Sequence, residues 1–169
     1  MEPYIARAFA SLTTGIYVLT VTEGGHPHGM SSSWVIPVSA QPPLFAVAVD
    51  CHHLSHAVIE RTGVFGLNVI SSRCRTLEDY FNSPRARRAD NLDEIPHEPS
   101  PELHVPWLKD VMVSIEAKVE NSYVAGDHTI FIASPVGAKI GQNDQPLTSL
   151  DLDYIYVGGD QVIPRTHRE

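Results

Sequence analysis

Apolar and β-branched residues recur along the chain in short runs separated by glycines, prolines and polar turns. Between residues 111 and 120 the apolar side chains fall at every second position, which is typical of a strand with one buried face. A run at 44–49 is apolar throughout and follows a Pro-Pro break. The pattern therefore predicts strands at 16–21, 27–30, 34–39, 44–49, 64–70, 111–120, 128–133 with an extension toward 140, 154–157 and 160–163.

Three short helices are predicted between these strands. The first covers Pro3–Leu12, where proline suits the first turn and apolar residues share one face. The second has Ser55 as its N-cap, continues to residue 61 and has Gly63 in the position of a C-cap. The third opens at residue 71 or 72 and reaches about residue 81. Many short strands with few helices favour a closed or partly open antiparallel barrel.

Residues 82–106 differ in character from the rest of the chain. They hold five prolines and the charged run RARRADNLDE, and they offer little to a core. We expect a short helix near Arg85–Leu92. An excursion of this length in a compact domain is often functional, but a solvated surface loop is an equal alternative. No repeat or linker divides the chain, so residues 1–169 are expected to form one domain that carries this excursion.

Composition narrows the classes of function. The chain is 43% hydrophobic and 19% charged, as in a globular protein, and its formal net charge is −8. That charge argues against a nucleic-acid binder that relies on a general positive field. Cys51 and Cys74 are too few for a disulfide framework, residues 1–12 do not have the pattern expected of a signal peptide, and no apolar window approaches the length of a membrane span. A cytoplasmic protein is expected.

A run of three serines is the first candidate for a functional site. Ser31, Ser32 and Ser33 lie between two predicted strands, where a core strand has no use for them. Their hydroxyl and backbone N–H groups suit an edge that binds a polar ligand. A serine-rich hairpin turn is the alternative, and the residues alone leave the two open.

Histidines cluster beside a cysteine in a second candidate. Cys51, His52, His53 and His56 suggest zinc, but no second cluster has the spacing of a known zinc motif. An anion site is favoured, because the N-terminus of the helix near Ser55 directs N–H groups and a positive dipole end toward this loop. No metal is assigned. His128 follows a Gly-Asp turn, and on general grounds such a lone histidine is more often structural.

Several segments resemble, in order, the flavin reductase-like family, the FMN-binding split barrels. They span nearly the whole chain: GMSSSWVIPVSAQPPL from Gly29, Ser55 and Ile59, GVFGLNV from Gly63, Phe81, GDHTIFI from Gly126, Pro146-Leu147 and Tyr154. The resemblance implies a mainly β, antiparallel, Greek-key-like split barrel with flanking helices. It also implies a homodimer that binds FMN, or FAD as the alternative, and uses NADH or NADPH as co-substrate.

The resemblance also implies roles for individual residues. Ser31–Trp34 would run along the isoalloxazine and ribityl chain, Ser55 would contact the phosphate, and His128 would lie by the flavin face where NAD(P)H docks, in a positioning role. Trp34 departs from a serine in the family pattern, and His52 and His53 stand where a lysine or arginine is usual. The cofactor-binding residues expected on this basis are Ser31, Ser32, Ser33, Trp34, Ser39, Asp50, Cys51, His52, His53, Ser55, Phe81 and Asn82, with His128 as the catalytic residue.

The implied function is hydride transfer from NAD(P)H to flavin, with reduced flavin supplied to a partner monooxygenase. A flavoredoxin-like electron carrier reduced by a protein partner is the first alternative, and the acidic composition suits such docking. A flavin-binding barrel without catalysis is the second. No GxGxxG or Walker A loop is present. Arg85, Arg87 and Arg88 are candidates for the nicotinamide phosphates, although a solvated charged face is the favoured interpretation of that run.

Overall fold

The computed structural model describes residues 2–82, 92–158 and 161–165 of the chain. Three helices are present in these ranges: α1 (Pro3–Phe9), α2 (Leu54–Thr62) and α3 (Arg75–Asn82). Short 3-10 turns precede α3 at Ser72–Cys74 and follow the last long strand at Ser149–Asp151. The strands are β1 (Tyr17–Glu23), β2 (His26–Ser32), β3 (Val35–Ala40), β4 (Pro43–Asp50), β5 (Val64–Val69), β6 (His97–Pro99), β7 (Pro106–Leu108), β8 (Val113–Ala125), β9 (His128–Ile140), β10 (Tyr154–Gly158) and β11 (Gln161–Pro164).

Seven strands form one antiparallel sheet in the order β2-β1-β5-β8-β9-β4-β3. The two edge strands, β2 and β3, are joined in sequence by residues 33 and 34 but are not hydrogen-bonded to each other, so the sheet is not closed. β6 with β7 and β10 with β11 form separate two-stranded sheets. The mainly β, antiparallel architecture predicted from the sequence is confirmed.

Most of the buried apolar side chains in the described ranges fall into two clusters. One fills the inner face of the large sheet and includes Leu19, Val47, Phe65 and Phe131, with Ile59 of α2 packed against them. The second lies around α3 and includes Ile70, Phe81, Leu92 and Leu147. Full burial of each such side chain contributes about 1.5–3 kcal/mol. The clusters hold α2 and α3 against the sheet.

Asn68 links β5 to its surroundings, as expected of a strand residue that forms hydrogen bonds. Its Nδ2 donates to the Val18 carbonyl at 3.2 Å and to the Thr20 hydroxyl at 3.3 Å. Its Oδ1 accepts from the Leu108 N–H at 2.9 Å and from the Ser114 hydroxyl at 2.8 Å. Asn68 is fully buried, so this side chain ties β1, β7 and β8 to β5 inside the protein.

Some element boundaries differ from the predicted ones. α1 ends at Phe9 and not at residue 12, because the next N–H groups bond to carbonyls three residues back and tighten the chain into a turn. The strand predicted from residue 111 begins at Val113, after Asp110 takes a left-handed φ of 62°. β6 and β7 were not predicted. Residues 83–91 lie outside the described part, and with them Arg85, Arg87, Arg88 and most of the helix predicted near 85–92.

Within the described ranges, no helix has the length and apolar character needed to span a bilayer.

Candidate functional site

A largely apolar cavity of about 340 Å³ opens beside the turn between β8 and β9. Its walls come from parts of the chain that are far apart in sequence: α1, the link between β2 and β3, the β4, β8 and β9 strands, and the end of β10. The lining residues are Phe9, Trp34, Ala48, Ala125, Asp127, His128, Ile130, Val157 and Gly158.

His128 is the central polar residue of this cavity. It is the first residue of β9 and pairs with Asp50 at the end of β4. Its Nδ1 lies 2.7 Å from Oδ1 of Asp127. An ionised carboxylate can only accept hydrogen bonds, so Nδ1 carries a proton that it donates to Asp127. The side chain of His128 is only 5% exposed, whereas that of Asp127 is 68% exposed, so the imidazole is held in a fixed orientation just below the surface.

Trp34 lies directly against His128. The ring centroids are 4.6 Å apart with the planes tilted by 37°, and the ring of Tyr156 lies 5.4 Å from the indole. Trp34 is outside both flanking strands, and its carbonyl accepts a hydrogen bond from the Ala48 N–H at 3.0 Å. Gly158 has a φ of 111°, and a Cβ there would lie 3.6 Å from the indole. Tyr156 and Gly158 thus bring the β10–β11 hairpin against this aromatic pair.

The loop that follows β4 is hydrogen-bonded to the turn between β8 and β9. The Cys51 N–H donates to the Asp127 carbonyl at 3.0 Å. Asp50 Oδ1 accepts from the His52 N–H at 2.8 Å and lies 3.0 Å from His52 Nδ1. The backbone N–H of His52 lowers the pKa of the Asp50 carboxyl most; burial opposes this, and the imidazoles of His52 and His128 lower the pKa further. Asp50 is therefore an ionised hydrogen-bond acceptor close to His128.

The N-terminus of α2 differs from the prediction. Its N-cap is His53 and not Ser55, because His53 has an extended backbone and its Nδ1 accepts from the Ser55 N–H at 3.3 Å. Ser55 is already inside the helix and fully buried, and its hydroxyl has no hydrogen-bond partner in the described part of the structure. Gly63 is the left-handed C-cap that the sequence predicts.

His56 is buried on α2 and is bonded to β9. Its Nε2 lies 2.7 Å from the hydroxyl of Thr129, and its Nδ1 lies 3.6 Å from a carboxylate oxygen of Glu60. Cys51 Sγ is 3.7 Å from the same Thr129 hydroxyl. Over residues 2–82, 92–158 and 161–165, no group of three or more His, Cys, Asp or Glu side chains is arranged to hold a metal ion.

The structure brings several of the predicted site residues together. Trp34 and His128 line the cavity, and Asp50, Cys51 and His52 form the adjoining loop. The side chain of His52 is 89% exposed. Ser31 and Ser32 end β2, paired with β1, and the chain passes through residue 33 to the indole. Trp34 and the loop after β4 therefore both lie beside the turn between β8 and β9.

Other predicted residues lie elsewhere. Ser39 pairs with Leu44, five residues beyond Trp34 and thus roughly 16 Å along the strand. Phe81 belongs to the second apolar cluster, where a Cβ on Gly29 would come within 2.8 Å of its ring. Asn82 is the last residue of α3.

Sequence reasoning missed part of the cavity. Asp127 was interpreted as a turn residue, yet it bonds to His128, and its place directly before that histidine was the available signal. Val157, and Tyr156 whose ring lies against Trp34, are on a predicted strand, but no pattern in the sequence indicates which sheet face that strand meets. Phe9 belongs to the predicted helix Pro3–Leu12, whose apolar face was given no role in a site.

Comparison with protein families gives one match to this chain. Residues 9–158 match the model of the flavin reductase like domain. The match covers the cavity residues and the loop after β4.

Among curated proteins, the NADH-dependent flavin reductase StyB of Pseudomonas fluorescens is 31% identical over 148 residues, which are 83% of this chain and 81% of that protein. The flavin reductase (NADPH) of Lentzea aerocolonigenes is 33% identical over 83% of this chain and 82% of its own length. A high molecular weight rubredoxin of Moorella thermoacetica is 27% identical, and this chain spans 62% of its length.

A solved structure resembles the fold throughout. Nitrilotriacetate monooxygenase component B from Mycobacterium thermoresistibile superposes with a TM-score of 0.82 at 22% identity, covering 99% of this chain and 93% of the other. At this identity the likeness concerns the fold, which is the split barrel with an open sheet.

Proposed function

The chain belongs to the flavin reductase-like domain family, and on that premise we propose that it is an NAD(P)H:flavin oxidoreductase. The observation that carries the proposal is the similarity to two reductases, one NADH-dependent and one named for NADPH, over more than four fifths of this chain. The flavin is FMN, with FAD as the alternative, and the electron donor is NADH or NADPH.

The residues at the site fit a flavin in two respects. The cavity walls are mostly apolar, which suits a planar heteroaromatic ring. On α2, the buried hydroxyl of Ser55 is a donor without an acceptor among the described residues, and leaving a buried polar group unpaired costs about 1–3 kcal/mol. A phosphate oxygen that reached this hydroxyl would remove that cost.

In this proposal the bound flavin supplies a ring that accepts hydride from the nicotinamide. The protein orients the reactants and keeps water away, and His128 is its central group. The Asp127 carboxylate accepts the hydrogen bond from Nδ1 and fixes the imidazole, so that Nε2 is the nitrogen left to act on a ligand. Asp50, ionised and adjacent, accepts hydrogen bonds from ligand hydroxyl or N–H groups.

The other cofactor contacts follow from position. We assign the ribityl chain and ring edge to Ser31, Ser32 and Ser33 because small hydroxyl residues permit close approach. Ser55 and the loop of Cys51, His52 and His53 are assigned to the phosphate end. Because the Ser55 hydroxyl is fully buried, a phosphate can contact it only when the residues that cover it move aside. Contacts from Ser39, Phe81 and Asn82 stay predictions.

The phosphate assignment is tested by replacing Ser55 with alanine. Removal of one hydrogen bond to a charged group costs about 1.5–3 kcal/mol, so we expect FMN to bind roughly 10- to 150-fold more weakly to Ser55→Ala. Riboflavin, which lacks the phosphate, should bind both proteins equally. Ser72→Ala, an exposed serine before α3, is the matched control. An equal loss of affinity for FMN and riboflavin would show that Ser55 supports the fold and does not contact the phosphate.

We further propose that the protein is a homodimer. The edge strand β3 exposes Ile36 and Val38, and the far end of β8 exposes Tyr123 and Val124. Exposed apolar residues on an edge strand are an aggregation risk unless another surface covers them. A second copy of the chain is the occupant that the family resemblance favours.

The reduced flavin is proposed to serve a partner monooxygenase in the cytoplasm. A relative from Rhodococcus jostii is named as the reductase subunit of a flavin-dependent monooxygenase. The free thiols Cys51 and Cys74 agree with a reducing compartment.

An electron carrier reduced by a protein partner is the second candidate. The formal net charge of −8 favours it, because an acidic surface suits docking to a basic redox protein. Reduction by NADH or NADPH alone decides between the two functions.

A further inference from the structure

His128 borders the cavity but is almost closed off from it. Its side chain is 5% exposed although it contributes to the lining. The indole of Trp34 lies over the imidazole with ring centroids 4.6 Å apart. A group that is meant to meet a ligand is thus covered by a side chain of its own chain.

The surroundings of Trp34 leave the indole room to move. Residue 34 lies outside β2 and β3, and its bond to the Ala48 N–H is made by the backbone carbonyl and not by the indole. The cavity beside it measures about 340 Å³, and a cavity of about 150 Å³ is enough to bind benzene. Gly158, which has no side chain, faces the far edge of the indole.

We propose that Trp34 limits the affinity of this site for planar ligands, because its indole occupies the face of His128 on which the ring of a bound flavin or nicotinamide lies. This inference rests on the proposed function for the identity of those ligands. A ligand ring takes its place beside His128 by displacing the indole, and the stacking lost from Trp34 is subtracted from the ligand's binding energy.

The size of the effect follows from the energy of one aromatic pair. Such pairs are worth enough to change an equilibrium constant by roughly 2- to 13-fold. Trp34→Ser introduces the residue that the family resemblance places at this position, and it should tighten ligand binding by about that factor. If the Trp34 indole instead stacked on the ligand, Trp34→Ser would weaken ligand binding.

Whether the Trp34 indole shields His128 can be tested without any ligand. Diethylpyrocarbonate modifies accessible neutral imidazoles, and peptide mass spectrometry assigns the modified histidine. In the unmodified chain His128 should react far more slowly than the exposed His52. In Trp34→Ser the rate at His128 should rise by about tenfold. Trp34→Phe keeps a smaller ring and guards against a folding defect. Its rate of modification at His128 should lie between those of the parent chain and Trp34→Ser. Phe9→Ser, which removes another aromatic residue of the cavity, should leave the rate unchanged.

Titrations of the same proteins with FMN and with NAD⁺ complete the test. Tighter binding of FMN to Trp34→Ser identifies the displaced ring as flavin, and tighter binding of NAD⁺ identifies it as nicotinamide. An unchanged His128 reaction rate in Trp34→Ser overturns the inference, and so does weaker binding of both ligands. If His128 becomes reactive in Trp34→Ser while no form of the protein binds FMN, the shielding of His128 by Trp34 is supported and the proposed function fails.

Discussion

A buried carboxyl on α3 gives the chain a pH dependence at the scale of a single residue. Glu78 is 2% exposed, and one carboxyl oxygen accepts from the Tyr154 hydroxyl while the other has no partner among the described residues. Burial raises the pKa of Glu78 and Asp79 adds to it, whereas the Tyr154 hydroxyl and Arg75 oppose the rise. The folded chain therefore favours the protonated form of Glu78 more than the unfolded chain does.

The sign of the stability effect follows directly. The contribution of Glu78 is fully present below its ordinary pKa of about 4.3 and is lost as pH rises through the raised value. Glu78→Gln stays neutral at every pH and keeps an oxygen that accepts from Tyr154. We expect the free energy of unfolding of the variant to exceed that of the parent chain by about 1 kcal/mol at pH 8. This difference should vanish near pH 4. Urea unfolding at both pH values measures it, and an equal difference at both would contradict the assignment.

Asn68 is the residue whose loss should cost most stability for a single polar side chain. Asn68→Ala leaves the Leu108 N–H and the Ser114 hydroxyl without their acceptor inside the core. We expect a loss of about 3 kcal/mol in the free energy of unfolding. Ser114→Ala removes one donor only and should cost about 1 kcal/mol. Similar losses in both variants, measured by urea unfolding, would show that Asn68 is not the centre of this network.

Single residues differ in how far the sequence revealed them. Asn68 lies in the apolar run GVFGLNV, where an amide has few uses other than hydrogen bonding within a strand, and its side chain makes such bonds. The pairing of Asp127 with His128 was missed, because an aspartate after glycine equally suits a turn. Glu78 was not noticed, because only packing from β10 reveals that a charged helix residue is buried.

At the scale of elements, strand packing depends on one close approach at β5. A Cβ on Gly66 would overlap the Thr20 hydroxyl and would lie 2.9 Å from the Pro106 carbonyl. These contacts belong to β1 and β7, and the Thr20 hydroxyl donates to that same carbonyl at 2.6 Å. A glycine lets the three strands approach here, because any side chain would push β7 away.

Gly66→Ala should therefore destabilise the chain by about 2–3 kcal/mol through displaced neighbours. Gly63→Ala is the matched control, because no atom lies within 4 Å of its added Cβ and only its left-handed φ of 69° is strained. That substitution should cost about 1 kcal/mol. Thermal or urea unfolding measures the loss of stability in each variant. A smaller loss for Gly66→Ala than for Gly63→Ala would contradict the packing account.

Element types were easier to predict than their ends. The long strands β8 and β9 and the helix α2 follow from alternation and from the Gly63 C-cap. The N-cap of α2 was misplaced, since a histidine ring nitrogen can accept a helix N–H as a serine oxygen does. β6 and β7 each have only three residues, too few for a periodic pattern.

At the scale of the molecule, the open sheet leaves apolar side chains exposed on its edge strand among the described residues. Ile36 on the edge strand β3 is 61% exposed. Light scattering at micromolar concentration should give twice the chain mass of 18.6 kDa. Ile36→Lys should weaken the dimer by at least about tenfold, because a charge would be buried at the interface. Leu150→Lys, an equally exposed apolar residue away from this edge, is the control. A monomeric parent chain would contradict the dimer.

Strand order could not be read from the sequence. Hairpin neighbours such as β1 and β2 follow from short turns, but β1 also pairs with β5, and β4 pairs with β9. These long-range pairings bring Asp50 beside His128 and so create the site. The resemblance to a known family supplied the barrel topology that local pattern alone does not contain.

The central claim is that this cavity holds a flavin and that a nicotinamide reduces it. The most direct measurement is the visible absorbance of the protein with FMN bound, recorded without oxygen before and after NADH or NADPH is added. The account predicts that the flavin absorbance bleaches within seconds of adding at least one of the two donors. A bound flavin that neither donor bleaches would contradict the reductase function, and a protein that takes up no FMN would contradict the site.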